Sequence, residues 1–134
     1  MELAQLNSHL ADILDHKVKL SKLDYSSEEY DEIEEGLHNL EDEFIEKYGD
    51  YLEDALHEVH DEFCPDTDVL LPTAYLPRFA LVSNGSFDAK YDDGVYVEVD
   101  DYPGKETKLV LLPDPVRIVL NIDQNTREVV WEAN

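Results

Sequence analysis

A twelve-residue segment occurs twice in this chain, nineteen residues apart. Ile33-Glu34-Glu35-Gly36-Leu37-His38-Asn39-Leu40-Glu41-Asp42-Glu43-Phe44 returns as Leu52-Glu53-Asp54-Ala55-Leu56-His57-Glu58-Val59-His60-Asp61-Glu62-Phe63, with six positions identical and four of the other six conservative. Apolar residues recur in both copies at three- and four-residue steps, the period of a helix and not of a strand. The phase of the repeat is restrictive. At about 100° per residue, nineteen residues of unbroken helix turn the second copy about 100° away from the first. The two apolar stripes then face different directions. A break at Tyr48-Gly49-Asp50 lets both meet one core, because glycine ends helices readily and Asp50 with Glu53 offers a fresh cap.

The sequence therefore predicts an N-terminal helical hairpin extended to three helices. The first covers about residues 2–22, with Leu3, Leu6, Leu10, Ile13 or Leu14, and Leu20 on its apolar face. Its Lys17, Lys19 and Lys22 complement the negative end of the helix dipole. The helix should lie antiparallel to the next, which brings these lysines to the acidic start of its neighbour. Ser26 with Glu29 fits a capping box for a second helix over Ser27–Tyr48, and a third follows to about Phe63.

The same stretch concentrates charge. Asp24–Asp68 holds nineteen acids against one base, Lys47, within a chain of net charge −23. Residues 1–23 are neutral and residues 69–134 carry only −5, so the acidity is local. Such a field repels nucleic acid and anionic lipid and attracts cations or a basic protein surface. Neither nucleic acid nor membrane is an expected partner. Acid pairs at i, i+4, such as Asp31/Glu35 and Asp54/Glu58, each cost a few tenths of a kcal/mol, about the size of favourable pairs.

After Cys64, Pro65, Pro72 and Pro77 mark an extended connection, with Val69-Leu70-Leu71 and Ala74-Tyr75-Leu76 expected to tuck against the core. From Arg78 the period changes to two. Phe79–Ser83 and Ser86–Tyr91 flank Asn84-Gly85, the strongest short hairpin signal. Val95–Asp100, Thr107–Leu112, Val116–Ile122 and Arg127–Glu132 follow, with a type II turn expected at Tyr102-Pro103-Gly104-Lys105 and a tight corner at Pro113-Asp114-Pro115. Val116, Ile118, Leu120 and Ile122 should point inward against Arg117 and Asn121. The expected fold is α+β: one domain over 1–134, with a helical layer at 1–64, a Pro-containing connection at 65–77, and a curved antiparallel meander of five to six strands at 78–134.

Catalytic patterns are absent from the sequence. There is no phosphate loop, no dinucleotide glycine pattern, no zinc-type Cys/His set and no nucleophile elbow, and all five histidines lie at or before residue 60. The balance is against an enzyme, and no cofactor is expected. Cys64 is the only cysteine, which excludes an intramolecular disulfide and fits a reducing cytoplasm. No signal peptide or membrane-length apolar run is evident.

The leading functional expectation is a soluble cytoplasmic module that meets a basic protein surface through its acidic helices. Glu34, Glu35, Asp42, Glu53, Asp54 and Asp61 would make the contacts, with Tyr51 (and less so Tyr25) as contact aromatics. Three alternatives follow from other residues. Glu34-His38-Asp42 and Glu53-His57-Asp61 form two columns, which side by side would hold a divalent cation through His38, His57, Glu34 and Glu53. Tyr75, Phe79, Tyr96 and Trp131 would line a small-ligand pocket between helices and sheet. Finally, the helical hairpin itself would serve as a homodimer interface.

Overall fold

Two helices of very different length share one apolar seam at the start of the chain. The computed structural model describes residues 2–133, apart from the side chain of Ser83. Helix α1 spans Leu3–Ser21 and buries Leu6, Leu10, Ile13 and Leu14, the face its spacing predicted. The chain then reverses. Asp24 Oδ1 accepts from both the amide and the hydroxyl of Ser26 at 3.0 Å. This occupies the serine expected to cap the next helix, and Ser27 takes over by accepting from Glu29 N at 3.2 Å.

Helix α2 runs unbroken over Glu28–Phe63. The break expected at Gly49 does not form, so the N-terminal layer is a hairpin of two helices and not a set of three. The reason is that the halves of α2 have different partners. In the first half, the His9 ring of α1 sits edge-on to Phe44 at 5.5 Å and to Tyr48 at 5.8 Å, and His9 Nε2 lies 2.9 Å from the Leu40 carbonyl. The antiparallel α1 is only about 28 Å long against about 54 Å for α2, so the second half of α2 outruns it. There Leu52, Ala55, Leu56 and Val59 are buried, and Tyr51 packs edge-on to Trp131 at 5.9 Å. The 100° phase of the repeat is used instead of being corrected.

His60, also buried, fastens the end of α2 to the connection that follows. Its Nδ1 lies 2.9 Å from the Thr67 carbonyl and its Nε2 lies 2.9 Å from the Tyr75 hydroxyl. A carbonyl only accepts, so in the neutral ring Nδ1 carries the proton and Nε2 accepts from Tyr75. The same hydroxyl accepts from Leu70 N at 3.0 Å. Tyr75 closes a 3-10 turn, Pro72–Tyr75, and is fully buried.

Six strands follow in the expected order, divided between two antiparallel sheets. β1 (Leu81–Ser83) and β2 (Ser86–Asp88) pair through Asn84-Gly85, both at positive φ as a tight two-residue turn requires. β3 (Val95–Tyr96), β4 (Lys108–Leu112), β5 (Arg117–Asp123) and β6 (Thr126–Glu132) form a four-stranded meander in sequence order. The first hairpin stands apart from it because residues 89–93 fold over the sheet's outer face. Asn121 Nδ2 donates to the carbonyls of Lys90 at 3.3 Å and Asp93 at 3.2 Å. Gly94 then turns the chain into β3 at φ +119°, where a Cβ would lie 2.5 Å from the Leu109 carbonyl oxygen.

The sheet is consequently buried on both sides over β4 and β5. Leu109, Leu111, Ile118, Leu120 and Ile122 join the helices in the main core, as the alternation predicted for β5. Val110, Leu112 and Val119 form a second small core with Ala89. Asn121 is therefore buried, not solvated as the alternation implied. At the expected tight corner, Asp114 takes a left-handed φ of +64°, and Asn7 of α1 clasps it through paired contacts of 2.7 and 2.8 Å. No helix among the described residues is long and apolar enough to cross a membrane.

Candidate functional site: an acidic cleft on the long helix

An unbroken α2 redistributes the acidic residues. Glu34-His38-Asp42 remains one column and Glu53-His57-Asp61 another, but the columns lie about 28 Å apart along the axis and about 100° apart around it. The side-by-side cation site expected from Glu34, His38, Glu53 and His57 is not formed. Among the described residues no group of three or more His, Cys, Asp or Glu side chains converges as metal ligands would. Glu35, Asp42 and Glu53 follow one line of the helix, whereas Asp54 and Asp61 follow another about 100° away. The acidity thus winds around α2 and does not form a single flat face.

One part of that band is concave. His38, Glu41, Asp42 and Ile45 of α2 face Leu71 and Thr73 across a cleft of about 410 Å³. Its far wall has a clear cause. The connection doubles back along α2 after Phe63, and the buried His60–Tyr75 hydrogen bond fixes the 3-10 turn that begins just after Leu71. The second copy of the repeat therefore positions a wall for the first. Leu70 and Leu71, expected to tuck into the core, are 45% and 56% exposed, while Tyr75 and Leu76 are buried. An exposed leucine beside two carboxylates gives the cleft both charge and an apolar contact.

Lys47, the one base in the acidic stretch, does not neutralise the cleft. Its ammonium pairs with Glu43 Oε1 at 2.7 Å, one helical turn back. The hydrogen bond and charge of Lys47 hold the Glu43 carboxyl below its ordinary pKa, and Glu43 in turn raises that of Lys47. Glu41 and Asp42 have no such ion pair among the described residues. Their oxygens are available as acceptors for lysine or arginine donors.

The other expected site residues lie elsewhere. Tyr51 is half-buried, with its ring edge-on to Trp131. Tyr25 stands at the hairpin tip. The four aromatics expected to line a pocket do not converge: Tyr75 is in the core on His60, Trp131 lies against Tyr51, and Phe79 and Tyr96 are at the surface. Phe79 instead lines a groove with Tyr25 and Tyr30. Cys64 is buried, and burial pushes its thiol up to about 11, which leaves it an inert packing residue at neutral pH.

Sequence reasoning missed Glu41, Ile45, Leu71 and Thr73. Glu41 and Ile45 were passed over because they lie between the apolar stripe and the acidic columns. No local signal marks Leu71 as a cleft wall, since that role arises from the doubling back. No protein-family model matches the chain, and no curated protein or solved structure matches it either.

Proposed function

We propose that this protein is a non-enzymatic binding module that captures a basic segment of a partner protein on the first-copy face of α2. The observation that carries this reading is the cleft in which Glu41, Asp42 and His38 stand beside Ile45 and the exposed Leu71. A field of −23 speeds the encounter with a basic surface, and salt weakens that steering. Specific affinity then needs a desolvated apolar contact, and Leu71 and Ile45 are suited to supply it. Glu34 and Glu35 extend the acidic rim toward the start of α2. Glu53, Asp54 and Asp61 contribute mainly to the long-range field.

Capture of basic proteins on the immobilised module, at low and high salt, tests this reading. A partner should be retained at low salt and released at high salt. Reversing Glu34, Asp42, Glu53 and Asp61 together to lysine should abolish capture, and Leu71→Ala should weaken it at either salt concentration. A captured partner whose affinity survives the quadruple reversal would refute the proposal.

A further inference from the structure

A second groove has the opposite chemistry. It lies where the end of α1, the hairpin tip and the segment before β1 meet, and it encloses about 360 Å³. Three aromatic rings face it. Tyr25 and Phe79 are 82% and 61% exposed, and the Tyr25 and Tyr30 rings lie 4.9 Å apart. Two cations, Lys17 and Arg78, line the same groove. The Arg78 guanidinium sits 5.8 Å from the centre of the Phe79 ring.

Cations are scarce in this chain, and these two line one groove. Acids outnumber bases 33 to 10, and Lys19, Lys47, Lys105 and Arg127 all have carboxylate partners. Among the described residues, Lys17 and Arg78 have no carboxylate within 4.0 Å, as is also true of Lys22, Lys90, Lys108 and Arg117. Lys17 is partly buried, and its one hydrogen bond, to the Pro77 carbonyl, is long at 3.4 Å. An ammonium carries three donors, and the Pro77 carbonyl takes one of them. Burial lowers the Lys17 pKa, and Glu41 and Asp93 oppose that only through longer-range charge. Asp93 is committed elsewhere, because its carboxylate accepts from the amides of Arg78, Phe79 and Gly94 at 3.0, 3.2 and 2.8 Å. Those bonds fix the backbone that presents Arg78 and Phe79, so the groove wall is set before any ligand arrives.

We propose that this groove binds a small amphipathic carboxylate, with the carboxylate on Lys17 and Arg78 and the apolar body along Tyr25, Tyr30, Phe79 and Leu20. The volume is at the lower end of the range for small-ligand sites. The acidity of the whole chain selects a ligand with one negative charge and a sizeable apolar part, since a polyanion such as a nucleotide triphosphate meets stronger repulsion. An arginine whose guanidinium already lies over an aromatic ring adds a planar donor fork suited to a carboxylate.

The probe is 3-phenylpropionate, titrated into the ¹⁵N-labelled protein and followed by two-dimensional NMR. It should give saturable shifts confined to the amides around Lys17–Tyr30 and Arg78–Phe79. The alcohol 3-phenylpropan-1-ol keeps the ring without the charge, and acetate keeps the charge without the ring. Each should bind at least about tenfold more weakly, the size of one good interaction. Lys17→Met and Arg78→Gln should each cost about the same factor, whereas Lys17→Arg and the remote Lys47→Met should keep the affinity. Should Lys17→Met fail to fold, Arg78→Gln decides, because that side chain is at the surface. Equal binding of acid and alcohol, unchanged affinity in Arg78→Gln, or no saturable shift at the solubility limit of the acid would each overturn the proposal.

Discussion

The two copies of the repeat share six of twelve residues and occupy unlike places in the molecule. The first copy packs on α1 through Leu37 and Phe44, with Tyr48 one turn beyond it, and on its open side faces the cleft with Leu71. The second packs on the sheet and the 3-10 turn through Leu52, Leu56, Val59 and His60, and projects Asp54 and Asp61 into solvent. Even His60, buried and hydrogen-bonded, stands where the first copy has the partly exposed Glu41. The difference teaches that a duplicated helical pattern does not imply a duplicated environment. With a nineteen-residue spacing the second copy is rotated about 100°, and a second partner on that side makes a break unnecessary.

The strongest way to probe this contrast is to remove a buried interaction from each half. Phe44→Ala should cost about 3–5 kcal/mol in denaturant unfolding, because it empties a fully buried site between His9 and Tyr48. On the second half, Tyr75→Phe should cost about 2 kcal/mol, since it strips a partner from both His60 Nε2 and Leu70 N without changing the packing volume. It should also shift resonances at Leu71 and Thr73, because the cleft wall depends on that bond. A Tyr75→Phe variant as stable as the parent would show that the second half does not anchor the wall.

Gly49→Ala sharpens the comparison at its midpoint. The nearest atom to a new Cβ is Ile45 Cγ2 at 3.4 Å, an ordinary contact. In a continuous helix the change should stabilise by up to about 1 kcal/mol, the propensity difference between the two residues. Were Gly49 a left-handed terminator, the same change would destabilise instead. The smallest effect concerns Lys47, three residues beyond the first copy; the corresponding position after the second is Asp66. The lowered Glu43 pKa means that this pair stabilises above the unfolded glutamate pKa and loses that contribution as pH falls through the folded value. The raised Lys47 pKa confines the upper end, where the contribution is lost as pH rises through the folded lysine value. Lys47→Met should lower the melting temperature slightly at neutral pH and not at all in acid. A difference that persists below the glutamate range would sink this assignment.

Much of the fold was legible from local pattern. The Asn84-Gly85 hairpin, the Tyr102–Lys105 turn with Gly104 at φ +80° and a 3.2 Å closing bond, and the inward residues of β5 all rest on spacing or turn chemistry. What was not legible depends on partners distant in sequence. Gly49 reads as a stop only while α1 and the sheet are taken as one core. Asn121 reads as solvated until residues 89–93 fold across the outer face and bring the Lys90 and Asp93 carbonyls to it. Of the cleft's lining, the sequence points to Asp42 as a partner contact and to His38 only as a cation ligand, and it places Leu71 in the core. Its exposure follows from the doubling back of the connection, which His60 and Tyr75 impose and no local signal announces.

The unlike settings of the two copies and the cleft beside Leu71 both require α2 to be a single helix. Spin labels at Glu32 and Asp61, both exposed and one in or beside each copy, measure this by pulsed electron resonance. A continuous helix places them about 43 Å apart in one narrow distribution. A markedly shorter or broad distribution would mean that the chain bends at Gly49, that both copies face one core, and that the cleft beside Leu71 is not the site.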